Sequence, residues 1–291
     1  MTFRATRRSF VAGAAASLCA GAAVAADRLV EIEAKVGGRL GLLALDVASG
    51  ARIARRADER FPMCSTFKAM GVAAVLARVD AGHERLSRFV PYGKADLLPH
   101  SPITERHVAE GGMSLGDICA AGVEFSDNCA ANRILAAIDG PAGWTRFVRR
   151  LGDAASRLDR NEMTLNTATP GDPRDTTTPA AMAADLRAVL LGDVLSDASR
   201  RLLADWMVAS QTGLSRLRAG FPAAWRVGDK TGTGDHGSVN DVAVAWTPQG
   251  PIVVACYMTE TKAETGVCEA AIADVGRLVA ATFRPAGTRH G

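Results

Sequence analysis

The feature that most constrains this chain is a change of hydrophobic period along its length: strand-like runs at both ends and helical spacing through the middle. Arg39 to Asp46 (RLGLLALD) and Ile53 to Arg56 flank Ser49-Gly50, which reads as a hairpin. From Ser65 to Asp80 the apolar residues Phe67, Met70, Val72, Ala73, Val75 and Leu76 recur at helical spacing, with Gly82 as a stop. Further helices are predicted at Ser114 to Ala121, Cys129 to Ala137, Ala142 to Leu151, Thr178 to Leu191 and Asp197 to Ala209. Strand signals return at Trp225 to Gly228, Val239 to Trp246 and Ile252 to Met258, and Ala263 to Phe283 closes as a helix. The predicted fold is therefore α/β of the α+β kind, with an antiparallel sheet and flanking helices built from residues 26–61 and 213–291. Residues 62–212 form an inserted all-helical domain, and the functional pocket is expected at the junction of the two.

Composition narrows the class of function. Of 291 residues, 48% are hydrophobic and 22% charged, which argues against disorder and supplies a substantial core. Arg4, Arg7 and Arg8 fall in the first 25 residues, which hold no acid, so 31 basic groups balance 31 acidic groups in the rest. A near-neutral body gives no reason to expect a nucleic-acid partner. Residues 1–25 read as a cleavable export signal: a basic start, an Ala-rich apolar run from Phe10 to Ala20, and Ala23-Val24-Ala25 as the cleavage site, with the mature chain starting near Ala26. Arg7-Arg8 followed by Ser9-Phe10-Val11 resembles a twin-arginine signal, with Sec export as the other route. The apolar run is short of the ~20 residues that span a bilayer, so a periplasmic protein without a stable membrane anchor is expected.

Cleavage would leave Cys64, Cys119, Cys129, Cys256 and Cys268, an odd number that guarantees a free thiol. No C-x-x-C or H-E-x-x-H occurs, and no metal or cofactor is expected. Two motif matches fail on context. Gly112-Met113-Ser114-Leu115-Gly116 fits G-x-S-x-G, but polar Glu110-Gly111 precede it and Ser114 with Asp117 reads as a helix cap. Gly232 to Gly237 fits G-x-G-x-x-G, yet a strand rather than a helix follows.

Three other short motifs carry chemistry together. Ser65-Thr66-Phe67-Lys68 is an S-x-x-K in a chain whose only lysines are Lys35, Lys68, Lys94, Lys230 and Lys262. If Ser65 opens the helix, Lys68 lies one turn on, on the same face, with its amine in reach of the hydroxyl. A lysine suits base work because, unlike arginine, it loses its proton when buried among other cations. Ser126-Asp127-Asn128 alone reads as a helix cap, and Lys230-Thr231-Gly232 alone as an edge strand. In the order S-x-x-K, S-D-N, K-T-G they are the set found in class A β-lactamases and penicillin-binding proteins, and the sequence resembles that superfamily. The aperiodic stretch from Asp159 to Asp175, with Arg160-Asn161-Glu162-Met163-Thr164-Leu165-Asn166 and Arg174-Asp175-Thr176-Thr177, resembles the omega loop of the class A enzymes. Phe61 to Lys68, Ser101 to His107, Trp206 and Trp225 to Gly234 extend the likeness over nearly all of the mature chain.

The resemblance implies hydrolysis of the β-lactam ring of penicillins and cephalosporins, conferring resistance, through a Ser65 acyl-enzyme. It makes Lys68 or a water held by Glu162 the acylation base, Ser126 the proton relay to the lactam nitrogen, and Glu162 with Asn166 the holders of the deacylating water. Asn128 would meet the substrate's side-chain amide, and the N–H groups of Ser65 and Thr233 the oxyanion. Lys230, Thr231, Gly232, Thr233 and Arg216 would receive the carboxylate, with Arg216 substituting for an arginine absent at Val239. Arg160 and Asp175 would clamp the loop as a salt bridge. Departures are Gly234 where a partner for Cys64 would complete a disulfide, Val72 where Cys119 would find its partner, and His100 where an aromatic lines the pocket entrance. No catalytically relevant disulfide is expected, and the family implies a monomer. The rival readings, a D,D-peptidase and a penicillin sensor, would use the same serine and lysines without Glu162.

Overall fold

A computed structural model describes residues 24–283. The export signal lies outside the described residues, except that 24 and 25 fall in the first turn of helix α1 (24–36), a segment in which the sequence showed no element. Strands β1 (Arg39–Asp46), β2 (Arg52–Arg55), β7 (Arg226–Gly234), β8 (Ser238–Thr247) and β9 (Gly250–Thr259) form one antiparallel sheet in the order β2-β1-β9-β8-β7. The chain's first and last strands meet at its centre, where Arg39 to Asp46 pair with Thr259 to Ile252. β1 keeps its expected bounds, β2 starts one residue early, and β7 runs six residues past Gly228 through Lys230-Thr231-Gly232.

Alternation along the strands assigns the two faces. Leu40, Leu42 and Ala44 of β1 and Val254, Cys256 and Met258 of β9 pack on α1, α8 (Leu217–Gly220) and α9 (Thr265–Phe283). Leu43, Val253, Ala255 and Tyr257 face the opposite way, into a larger core with α2 (Phe67–Asp80), α6 (Pro179–Leu191) and α7 (Asp197–Val208). Both sides of the sheet are covered, which is why its central strands read as continuous apolar runs. In α2 every residue from Phe67 to Leu76 is buried, so this helix is surrounded rather than amphipathic. Around it pack α3 (Leu115–Glu124), α4 (Asn128–Ala137) and α5 (Gly140–Arg150), with Trp144 Nε1 donating to the Phe67 carbonyl at 2.9 Å.

Two short pairs had no sequence signal of their own: β3 (Phe61–Pro62) with β6 (Thr176–Thr177), and β4 (Phe89–Pro91) with β5 (Gly112–Ser114). β5 corrects the expectation that no strand precedes Ser114, although the serine still caps α3, accepting from Asp117 N–H at 3.1 Å. Gly232-to-Gly237 turns β7 into β8 with no helix following. The stretch from Asp159 to Asp175 is irregular apart from one 3-10 turn, Thr164–Thr167.

Candidate active site

The site forms where the buried helix α2 meets the edge strand β7 of the sheet. A 3-10 turn, Cys64–Thr66, leads into α2, so Ser65 sits just before the helix and Lys68 in its first turn. Beside this turn runs β7, and two of its glycines permit the approach. A side chain at Gly232 would put its Cβ 2.7 Å from the Met63 carbonyl, and at Gly234 2.6 Å from Cys64 Sγ and 2.7 Å from the Asn166 carbonyl. A third wall is the α3–α4 connection, in which Ser126 adopts a left-handed φ of 58°. Such a conformation costs about 1–3 kcal/mol in a non-glycine residue and persists where the surroundings enforce it. Asp127, fully buried, is the enforcer: it accepts from the N–H groups of Ile103, Thr104 and Ala130 and from Thr104 Oγ1, at 2.8 to 3.0 Å.

These walls bring the separated motifs into one cluster. Ser126 Oγ lies 3.3 Å from Lys68 Nζ and 3.0 Å from Lys230 Nζ. Lys68 Nζ also meets the Ser126 carbonyl and Asn128 Oδ1, both at 2.8 Å, and Glu162 Oε1 at 3.0 Å. The Ser65 hydroxyl reaches Glu162 Oε1 at 3.4 Å, and Asn166 Nδ2 donates to Glu162 Oε2 at 2.6 Å. One expectation is corrected: Lys68 makes no hydrogen bond to Ser65, because the buried Glu162 carboxylate and the Ser126 and Asn128 oxygens take its ammonium donors. Asn128 is likewise engaged, its amide donating to the Pro99 carbonyl at 2.8 Å.

Burial pushes the Lys68 amine below the ordinary lysine range, with Glu162 opposing. It pushes Lys230 further down, and the positive charge of Lys68 adds to the effect. The Cys64 thiol beside the nucleophile is raised, again by burial, so it stays a thiol. All five described cysteines are buried and free of disulfides. Among the described residues no group of three or more His, Cys, Asp or Glu side chains could hold a metal ion.

Arg216, 4% exposed, spends all five donors. They go to Glu269, the carbonyls of Gly232 and Asn240, and Thr233 Oγ1, at 2.7 to 3.2 Å. It therefore ties β7 to β8 and to α9 and presents its charge to the pocket beside Thr233. Thr231 Oγ1 donates to Thr212 Oγ1 at 2.7 Å. Asp175, 1% exposed, accepts from the Arg160 guanidinium at 2.5 Å and from the N–H groups of Asp159 and Arg160 at 2.7 and 2.9 Å. That closes the neck of the loop carrying Glu162. Sequence reasoning missed Asn132, whose amide bonds both ways with the Glu162 backbone at 2.9 and 3.1 Å, and Glu269, the partner of Arg216. Neither lies in a short motif; only their place one or two turns into helices α4 and α9 could have pointed to them.

The resulting cavity, about 510 Å³, is lined by Ser65, Ser126, Asn128, Asn166, Arg216 and Thr233 among others, with His100 and Met163 at its rim. A second cavity of about 440 Å³ between β1 and α6 is lined by alanines, leucines, Arg52 and Arg187 and holds no nucleophile. Chemistry therefore selects the first.

The family model described as the beta-lactamase enzyme family matches residues 24–283. Among curated proteins the chain is 48% identical to beta-lactamase AST-1 of Nocardia asteroides over 258 residues, 88% of this chain and 83% of that one. It is 47% identical to beta-lactamase CTX-M-8 of Citrobacter amalonaticus over 243 residues, 82% and 83% of the two chains. Among solved structures, the ancestral GNCA class A beta-lactamase superposes with a TM-score of 0.87 at 59% identity, covering 89% of this chain and 100% of that one. With the family model spanning its whole described length, the chain belongs to the beta-lactamase enzyme family, in class A.

Proposed function

We propose that Ser65 is the nucleophile of a two-step lactam hydrolysis. Hydrolysis of β-lactams, the activity that confers resistance to them, is the reaction of this chain as a class A serine β-lactamase. The observation that carries the site assignment is the contact of one buried carboxylate, Glu162, with Ser65 Oγ, Lys68 Nζ and Asn166 Nδ2 together.

In acylation Ser65 Oγ attacks the lactam carbonyl and its proton passes to a base. Glu162 Oε1 is the acceptor in contact with the hydroxyl, and Lys68, with its lowered proton affinity, is the other candidate, one contact further on through Glu162. The oxyanion is met by the N–H groups of Ser65 and Thr233; one such donor is worth roughly 2.7–4 kcal/mol of barrier. As the C–N bond breaks, Ser126, which bridges Lys68 and Lys230, hands its proton to the leaving nitrogen and is reprotonated through Lys68 by the proton taken from Ser65, which leaves Glu162 ionised for the next step. In deacylation Glu162, oriented by Asn166, takes a proton from water, whose oxygen attacks the ester carbonyl; the ester C–O bond breaks and the proton passes back to Ser65 Oγ, which restores the enzyme. Lys230, Thr231, Gly232 and Thr233 bind the substrate carboxylate, the charge of Arg216 beside Thr233 attracting it without a free donor, and Asn128 meets its side-chain amide. Arg160 and Asp175 hold the loop shut. No cofactor is required.

Penicillins and cephalosporins are the substrates this reading assigns. It also carries export by the signal in residues 1–25, a periplasmic monomer, and the division into a sheet domain and a helical insert. No helix among the described residues is long and apolar enough to cross a membrane.

The test mixes purified protein with excess benzylpenicillin or a chromogenic cephalosporin, following absorbance and intact mass. Many turnovers with little adduct are expected, whereas one equivalent consumed with a lasting adduct would indicate a peptidase or sensor. Ser65→Ala should abolish labelling; Glu162→Ala should leave labelling and slow release by about 10²–10⁴-fold. Rapid turnover by both variants would sink the assignment.

A further inference from the structure

The connection from α5 to the loop that carries Glu162 passes through a buried aspartate, Asp153, whose environment has no counterpart in the active site. Asp153 accepts from the N–H groups of Ala155 and Ser156 at 2.6 and 2.9 Å through Oδ1. Ser156 Oγ meets Thr177 Oγ1 at 2.6 Å, and Arg157 N–H donates to the Thr176 carbonyl at 2.9 Å, so residues 153–157 are laced to the segment that enters α6. On the buried face of α6, Asp185 is 1% exposed and its carboxyl contacts that of Asp153. Oδ2 of each acid is buried and has no hydrogen-bond donor among the neighbouring groups.

Among the described residues no salt bridge reaches either carboxylate, although the charge of Arg149 nearby favours the ionised form of Asp185. The groups facing Asp185 are Asp153, Arg149 of α5 and Tyr257 of β9. Arg149 donates to the Asp153 backbone carbonyl, and the Tyr257 hydroxyl is bonded to Thr66 Oγ1 at 3.1 Å. Two ionised carboxylates in contact, buried and unpaired, repel strongly; a single proton donated from one to the other satisfies both orphaned oxygens.

We propose that Asp153 and Asp185 share one proton at neutral pH, and that this acid–carboxylate bond fastens the stem of the Glu162 loop to α6, making Asp185 a positioning residue for deacylation. Burial, reinforced by the neighbouring Asp153, pushes Asp185 up to about 9, in keeping with the geometry. As the proton leaves at alkaline pH, two like charges in contact drive the stem from α6. Ser65, on the buried helix turn, keeps acylating, while Glu162 and Asn166 on the loop lose their placement. The kinetic half of this inference rests on the deacylation reading above; the stability half does not.

The test compares thermal midpoints of the full protein and of Asp185→Asn from about pH 5 to about pH 9.5. Asparagine places an amide donor where the acid proton stood. The midpoint of the wild type should fall with pH more steeply than that of the variant. Asp153→Asn, whose amide donates to an ionised Asp185 while its oxygen keeps the Ala155 and Ser156 bonds, should flatten the slope in the same way and serves if Asp185→Asn fails to fold. Slopes equal to the wild type in the variants overturn the shared proton. In benzylpenicillin turnover, the wild type should accumulate about tenfold more acyl adduct at the alkaline end than at neutral pH, and Asp185→Asn should not. Flattened slopes with no such difference overturn the positioning role. Failure of the functional reading looks different: no adduct even in Glu162→Ala, with the midpoint slopes intact.

Discussion

Asp175 and Asp185 are each 1% exposed, and each touches the stem of the loop that carries Glu162, yet they are buried in opposite ways. Asp175 meets a guanidinium and two backbone N–H donors, so its negative charge is answered from three directions. Asp185 meets another carboxyl. Depth of burial thus does not determine the state of an acid; the donors it finds do. One loop is held at one point by an ion pair that wants its acid charged, and at another by a contact that wants its acid protonated.

The largest effect expected from breaking this contrast is at Asp175. Asp175→Ala removes the acceptor of three bonds and leaves Arg160 only 18% exposed at its side chain and unpaired, which should cost on the order of 3 kcal/mol in a denaturant titration and slow deacylation. Next comes Asp185→Leu, which removes the proton donor and strands Asp153 Oδ2, for about 1–3 kcal/mol in the same titration. Asp185→Asn should do the opposite above neutral pH. An acid raised to about 9 in the fold binds a proton that the unfolded chain has already released. Stability therefore declines as pH climbs from the ordinary aspartate value toward about 9, by up to about 1.4 kcal/mol per pH unit, and the variant should lose that slope. The smallest effect belongs to His236, whose exposed Nδ1 meets the Thr167 carbonyl at 2.9 Å at the far side of the loop. His236→Ala should cost about 0.5–1 kcal/mol and leave the pH slope as it is. A steeper slope in that variant would place the pH response outside the Asp153–Asp185 pair.

Much of the site was legible because its chemistry is local in the chain. Ser65 and Lys68 are separated by one helical turn, Ser126 and Asn128 by one residue, and Lys230 and Thr231 are adjacent, so each motif is visible before folding. The loop was recognisable from its lack of period, and Arg160 and Asp175 from their bracketing it. Asn132 and Glu269 were not legible, since a polar residue on a helix carries no sign of which backbone it will meet across a gap of 30 or 53 residues. Asp153 and Asp185 were invisible for the same reason: two aspartates 32 positions apart read as two solvated charges.

In the fold, β1 kept the bounds its apolar run indicated, because a central strand covered on both faces carries the strongest pattern. β3, β4, β5 and β6 are two or three residues long, too short for any period, and exist only because tertiary packing aligns their backbones. By itself the sequence determined the fold class, the order of the long strands and of the helices from α2 to α7 and α9, and the three motifs, since hydrophobic period and residue spacing act within a few residues. Only the tertiary structure decided that Lys68 turns to Glu162 and Ser126 rather than to Ser65, that Arg216 exhausts its donors on the sheet edge, and that one buried aspartate meets a cation while another meets an acid. Those outcomes depend on which distant groups share a low-dielectric interior, where a single unanswered charge or hydrogen bond outweighs any local preference.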